Sequence, residues 1–278
     1  MVLTKGPDAA NRLRDGQLGS RGGKPLLGIH HSPAKASAKN RNRERVTRQG
    51  FGGVLTDDQW TRLIKAGTRR RHEAGSQIMR QGEPGDSVHL LVAGRVKVSM
   101  VRPDGQEVLL VVRSYGEALG EMAVITGRPR SATVTAIGTC YTHVVLRERF
   151  RQLVNQMGLD AALLEHFVVR QIESDATRAD QAALPAERRL AKILVQLAAF
   201  GGENIAPDVT ANGRTSRQGV LFGLSQQDIA DHIGASRSSV AQAFIRFREL
   251  GIVRTGRQFV AVHDLDRLRA IAHGGSDA

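Results

Sequence analysis

Between residues 75 and 145 the chain is built of short runs rich in β-branched residues, cut again and again by glycine: Gly75, Gly82, Gly85, Gly94, Gly105, Gly116, Gly120, Gly127 and Gly138. Many short strands with closely spaced turns point to an all-β sandwich or barrel. Val88–Val92 and Val96–Val101 read as strands, and Gly94 suits a tight turn between them. Pro103-Asp104-Gly105 separates Val96–Val101 from a further strand over Glu107–Val112. Ahead of the β region, Leu55–Ile64 reads as a short helix with Thr56 as its N-cap and acids in its first turn. Helical texture returns at Leu159 and continues, apart from one loop and a hairpin, to the end.

Charge divides the chain differently. Residues 1–50 carry eleven Lys/Arg against three acids, so +8 of the formal net charge of +13 falls there. That segment has no aromatic residue and little apolar periodicity, and it cannot bury enough surface to offset its ordering entropy. It is expected to be a disordered basic tail, either a non-specific nucleic-acid arm or a solvated extension. The single cysteine, Cys140, excludes an internal disulfide, a zinc cage of thiolates and a four-cysteine iron–sulfur site. His72, His89 and His143 are isolated, and His30-His31 lacks ligand spacing, so no metal and no prosthetic group are expected. The first residues hold no apolar signal region, and runs such as Val108–Val112 are too short to cross a bilayer. A cytoplasmic protein without membrane contact is expected.

The helix expected over Leu159–Ala183 has two unlike halves. The first carries Leu159, Leu163, Leu164, Phe167, Val168 and Val169; the second, from Gln171 to Gln181, is mostly polar. Such a helix is either a dimer seam that stays marginal until stabilised, or a surface helix packed on the β domain along its first half. Pro185 ends it.

The run Leu119-Gly120-Glu121-Met122-Ala123, followed by Arg130-Ser131-Ala132-Thr133, carries the most specific chemistry. Gly120 permits close backbone approach, and Glu121-Met122-Ala123 can open a short helix whose free N–H groups converge on an anion. Arg130, returning on a strand, offers a guanidinium fork for phosphate, with the Ser131 hydroxyl beside it. Glu121 needs a donor, and a ribose hydroxyl is one. The set asks for a phosphate joined to a ribose. No carboxylate pair or nucleophile–base set accompanies it, so an enzyme is not expected.

These residues resemble the phosphate-binding cassette of cyclic-nucleotide-binding domains. Over roughly Gly53 to Ala272 the chain resembles the family of the cyclic AMP receptor protein and the fumarate–nitrate reduction regulator. The resemblance implies that Glu121 takes the ribose hydroxyl and that Arg130 and Ser131 hold the cyclic phosphate of cyclic AMP or another cyclic nucleotide. It places Ser174 and Asp175 near the base. Cyclic-AMP responders carry Thr-Ser there, so Asp175 departs from the pattern and leaves the base open.

Downstream, Ser225 with Asp228 forms a near capping box opening a helix to Ile233, Gly234-Ala235 makes a turn, and Ser236 caps a second helix. Val240, Phe244 and Phe247 form its buried stripe, leaving Arg237, Ser238, Gln242 and Arg246 outward, the geometry of a helix entering a major groove. Gly251-Ile252-Val253, Arg254-Thr255-Gly256-Arg257 and Gln258–Val262 read as a small wing. Arg237 can fork onto guanine and Gln242 suits adenine, whereas Gln226, Arg254 and Arg257 suit phosphate. By the resemblance Arg237, Ser238 and Gln242 occupy the family's reading positions, with an acid and a second arginine missing.

The expectation is an α+β chain with four parts. They are a basic tail (1–50), an N-terminal double-stranded β-helix or jelly roll (51–157), a connecting and dimerisation helix (158–184) and a C-terminal winged helix-turn-helix (185–278). The expected function is a homodimeric DNA-binding transcription regulator on a palindromic operator, controlled by cyclic AMP or another cyclic nucleotide, with RNA polymerase a further candidate partner. The alternative is a β roll that serves only as a dimerisation scaffold, with a different effector or none.

Overall fold

A computed structural model describes residues 47–199, 219–256 and 259–275. Most of the expected tail and the wing-tip residue Arg257 lie outside these. Two short helices open the fold, α1 (Gly50–Val54) and α2 (Asp57–Lys65). Thr56 Oγ1 accepts from Gln59 N–H, and Gln59 Oε1 accepts from Thr56 N–H. That reciprocal cap, at the expected Thr56, starts α2 at Asp57.

Eight strands follow: β1 (Thr68–His72), β2 (Gln77–Met79), β3 (Ser87–Ala93), β4 (Val96–Val101), β5 (Glu107–Arg113), β6 (Ala118–Leu119), β7 (Thr133–Ala136) and β8 (Cys140–Leu146), with a short helix α3 (Glu121–Thr126) after β6. They form two antiparallel four-stranded sheets, β1-β8-β3-β6 and β2-β7-β4-β5. Met79, Leu91, Val96, Leu119, Val134, Ala136 and Cys140 are buried together between them. A second core joins Val88, Leu90 and Val145 to Phe51, Trp60, Leu63 and Phe150 of the flanking helices.

The turn at Pro103-Asp104-Gly105 closes the β4–β5 hairpin as expected: Arg102 N–H donates to Gln106 O at 2.9 Å, and Gly105 has φ 82°. Gly94 behaves differently. It carries the chain from one sheet to the other, so β3 and β4 do not pair. A Cβ there would lie 2.5 Å from Cys140 Cβ, so the crossing needs glycine. The tail boundary also shifts. Arg48 donates to the Gly52 and Leu55 carbonyls, and Gln49 N–H donates to Tyr115 O at 2.8 Å, which binds residues 48–50 to the roll.

Helix α4 (Arg147–Met157) leads to the long α5 (Asp160–Ala183), and Pro185 separates α5 from α6 (Ala186–Ala199). Along α5 only Leu163 and His166 are buried, while Leu164, Val168, Val169 and Ile172 stay exposed. The C-terminal part comprises β9 (Gly219–Phe222), α7 (Gln226–Ile233), α8 (Arg237–Glu249), β10 (Val253–Gly256), β11 (Phe259–Val262) and α9 (Leu265–His273). The wing is three-stranded, in the order β10-β11-β9; the third strand, Gly-Val-Leu-Phe, is too short for periodicity to reveal. The core of this C-terminal part takes in Leu109 and Val112 of β5, so it is seated on the roll.

Candidate functional site

The first site lies where β6 runs into α3. Gly120 caps α3 with φ 83°, and a Cβ there would lie 2.1 Å from Arg130 Nη1. The left-handed backbone favours glycine there, and the Arg130 guanidinium rests against it. Arg130 is not on a strand; it sits in the loop before β7, pinned by Arg130 N–H to Glu83 O at 2.8 Å and Gly82 N–H to Arg130 O at 2.9 Å. It is buried, donating to Gly120 O at 2.8 Å and Ser87 O at 2.7 Å, with Asp86 at 3.5 Å. Burial pulls its pKa below the ordinary guanidinium value, and the nearby carboxylates of Asp86 and Glu121 oppose that.

Glu121 opens α3 and is 1% exposed. Its Oε1 has no hydrogen-bond partner, with His166 Nε2 of α5 at 3.5 Å and Arg170 Nη1 at 3.8 Å. Burial pushes its carboxyl upward, but the Arg170 charge and the His166 ring outweigh burial and hold it below the usual carboxylate range. Arg170 also pairs with Glu117 at 2.8 Å. Glu117 meets Arg113 at 3.3 Å, and Arg113 meets Glu173 at 2.9 Å. A chain of alternating charge therefore ties α5 to the roll. Glu121 and Arg130 line one hollow with Gly120, Met122, Ala123, Ser131, Arg170 and the apolar Met79, Val98, Leu119 and Val134. Its free volume is about 60 Å³, below the roughly 300–1,000 Å³ of a small-molecule pocket. A nucleotide fits only as the hollow widens.

The second site is the outer face of the helix pair. Ser225 and Asp228 form the capping box of α7, and Gly234, at φ 62°, ends it. Ser236 accepts from Ser239 N–H at the start of α8, and its hydroxyl lies 2.8 Å from those of Ser238 and Ser239. Val240, Ala243, Phe244 and Phe247 are buried, leaving Arg237, Ser238 and Gln242 outward. Gln226 and Arg237 line a cleft of about 420 Å³ between the helix starts and the wing. The turn is clamped from behind. Gln181 at the end of α5 donates to His232 O at 2.9 Å, and Arg189 donates to Gly234 O at 3.3 Å. Lys97 of β4 lies 3.4 Å from Asp228.

Residues 69–157 match the cyclic nucleotide-binding domain, and residues 188–271 match the Crp-like helix-turn-helix domain. The chain belongs to the family of the cyclic AMP receptor protein and the fumarate–nitrate reduction regulator (CRP/FNR). This is a family of transcription regulators, not of enzymes. A CRP-like cAMP-activated global transcriptional regulator of Mycobacterium tuberculosis is 29% identical over 195 residues, 70% of this chain and 83% of that one. In fold, the chain is similar to a CRP/FNR family transcriptional regulator of Thermus thermophilus. The TM-score is 0.61 at 20% identity, covering 75% of this chain and 100% of that one. It is likewise similar to the c-di-GMP responsive global regulator CLP of Xanthomonas campestris, with a TM-score of 0.58 at 20% identity, covering 75% and 99%.

Against the CRP/FNR expectation, the structure brings Gly120, Glu121, Met122, Ala123, Arg130 and Ser131 together, but not Ser174 and Asp175. Neither lines the hollow, and Asp175 is exposed and taken by Gln171 and Arg178. Arg246 is drawn sideways to Glu187 of α6 at 2.9 Å. Arg254 is exposed on β10. Sequence reasoning missed Arg170 as a wall of the hollow; its signal was a lone cation where the apolar half of α5 ends. Cys140 is a core residue whose thiol burial pushes up to about 11. The histidines are less isolated than expected, since His72 lies 2.9 Å from Thr142 Oγ1 and its ring 6.1 Å from that of His89. Among the described residues no cluster of three or more His, Cys, Asp or Glu could hold a metal, and no helix is long and apolar enough to cross a membrane.

Proposed function

We propose that this CRP/FNR family regulator is a homodimer whose roll binds a cyclic nucleotide, cyclic AMP first among them, and that occupancy sets the posture of two reading heads on a palindromic operator. The observation that carries it is Glu121 Oε1, buried with charged neighbours but without a hydrogen bond, in the same hollow as the buried Arg130. A ribose hydroxyl donating to Glu121 would satisfy that oxygen. A cyclic phosphate would draw on the Arg130 fork, the Ser131 hydroxyl and the N–H groups at the start of α3.

Arg170 forms one wall, so widening the hollow moves α5 or breaks its charge chain to Glu121 and Glu117. The exposed stripe of Leu164, Val168 and Ile172 is the seam we assign to a second copy of the chain. Movement at the seam reaches the reading head through Gln181 and His232. In a ligand-stabilised state the two α8 helices would stand about 34–36 Å apart, one turn of B-DNA. Only differential affinity for the two states can drive such a shift. Ser174 and Asp175 would reach a base only if α5 closes over the hollow. Arg237, Ser238 and Gln242 are the proposed base readers, with Gln226, Ser236 and Arg254 toward phosphate. RNA polymerase is a proposed further partner and the cytoplasm the proposed location.

Calorimetric titration with cyclic AMP tests this: wild type should release heat and Arg130→Ala should not. Absence of heat from wild type with every cyclic nucleotide would end the ligand claim. The closed hollow and the engagement of Arg130 with Gly120 and Ser87 favour a second reading, in which the roll is a dimer scaffold with a different effector or none. Operator binding unaffected by any nucleotide in a mobility-shift assay would establish it.

A further inference from the structure

We infer that Ile245 is a base-reading residue whose side chain meets the C5-methyl group of a thymine in the major groove; this rests on the DNA-reading role of α8. Ile245 lies opposite the buried stripe of α8 and is 45% exposed. At about 100° per residue, Ser238, Gln242 and Ile245 fall within a sector of about 60°. They share one face, and the half-buried Ala241, about 40° beyond Ile245, adds little bulk beside it.

The arginines on either side of Ile245 are drawn away from that face. Arg246 reaches Glu187 of α6 at 2.9 Å, and Arg248 donates to Thr255 of the wing at 2.8 Å. Ile245 therefore stands between two charges that point aside. A β-branched chain in a helix holds essentially one χ1 rotamer, so its Cγ2 methyl group is fixed in space. It carries no donor or acceptor for a phosphate or a base edge. The apolar mark that the major groove displays is the thymine methyl. Single exposed apolar residues are common on proteins. Among the described residues, however, the α5 group forms a continuous stripe, whereas Ile245 stands in a row of polar groups suited to base edges.

The test is selection of duplexes from a randomised pool, with cyclic AMP present, by wild type and by Ile245→Ala. Wild type should enrich one T·A pair per half-site that Ile245→Ala leaves random, with the remaining positions enriched alike by both. Replacing that thymine by deoxyuridine should weaken wild type about fourfold, the loss expected for one methyl group. It should leave Ile245→Ala unchanged, and Ile245→Val should keep most of the discrimination. Equal binding of thymine and uracil duplexes by wild type would overturn the inference, as would a thymine preference retained by Ile245→Ala. If neither protein enriches any sequence, the DNA-reading role of α8 fails first and this inference with it.

Discussion

The two sites of this molecule handle charge in opposite ways. In the roll, Glu121 and Arg130 are buried, tied to neighbours, and open only to a hollow smaller than a nucleotide. In the reading head, Arg237, Ser238 and Gln242 stand on an exposed helix face whose opposite side carries the packing. Chemistry and stability are one problem in the roll and two separate problems in the head. Substitutions should therefore damage the roll twice over, while in the head they should change recognition and leave the fold alone.

The largest effect is expected at Arg170. Alanine there leaves the buried carboxylates of Glu117 and Glu121 without their shared cation and should cost about 3–5 kcal/mol of stability, read by calorimetric unfolding. A loss below about 1 kcal/mol, typical of an exposed pair, would break the contrast.

Acid titration sharpens it next. Burial, helped by the charges of His72 and Arg130, lowers the His89 pKa from 6.5 to about 4, so the ring is neutral in the fold. Its stabilising contribution is complete above pH 6.5 and is lost as pH falls toward 4, because the unfolded chain takes up the proton first. The loss should be on the order of 3 kcal/mol. Unfolding midpoints of wild type and His89→Gln measured down to pH 4 should diverge in that window; parallel curves would contradict it.

In the head, Arg237→Ala should cost about 1–3 kcal/mol on the selected operator and relax one position, with an unchanged melting temperature. Equal losses on all sequences would move Arg237 to the phosphate backbone. Least is expected of Arg246→Ala, which removes an exposed pair with Glu187. Stability should fall by about 0.2–1 kcal/mol with base preference intact.

The same contrast explains what could be read before the structure. The head was legible because its determinants are local. The capping box at Ser225–Asp228, the Ser236 cap, the glycine turn and the buried stripe all lie within one stretch of chain. The cassette residues were legible as a motif, but their surroundings were not. That Arg130 rests on Gly120 O depends on the loop before β7 folding back to the start of α3, and that Arg170 completes the hollow depends on α5, some fifty residues downstream, reaching back to Glu121. Gly94 was recognised as a turn, yet only the approach to Cys140 shows that it switches sheets. Ser174 and Asp175 were assigned by likeness, and helix geometry turns Asp175 outward.

The central claim, that filling the hollow in the roll governs the reading heads, is tested most directly by footprinting target DNA with and without each cyclic purine nucleotide. Wild type should show a symmetric protected site that strengthens with at least one nucleotide, and Arg130→Ala should show no such gain. Identical protection by wild type whether or not any nucleotide is present would contradict it.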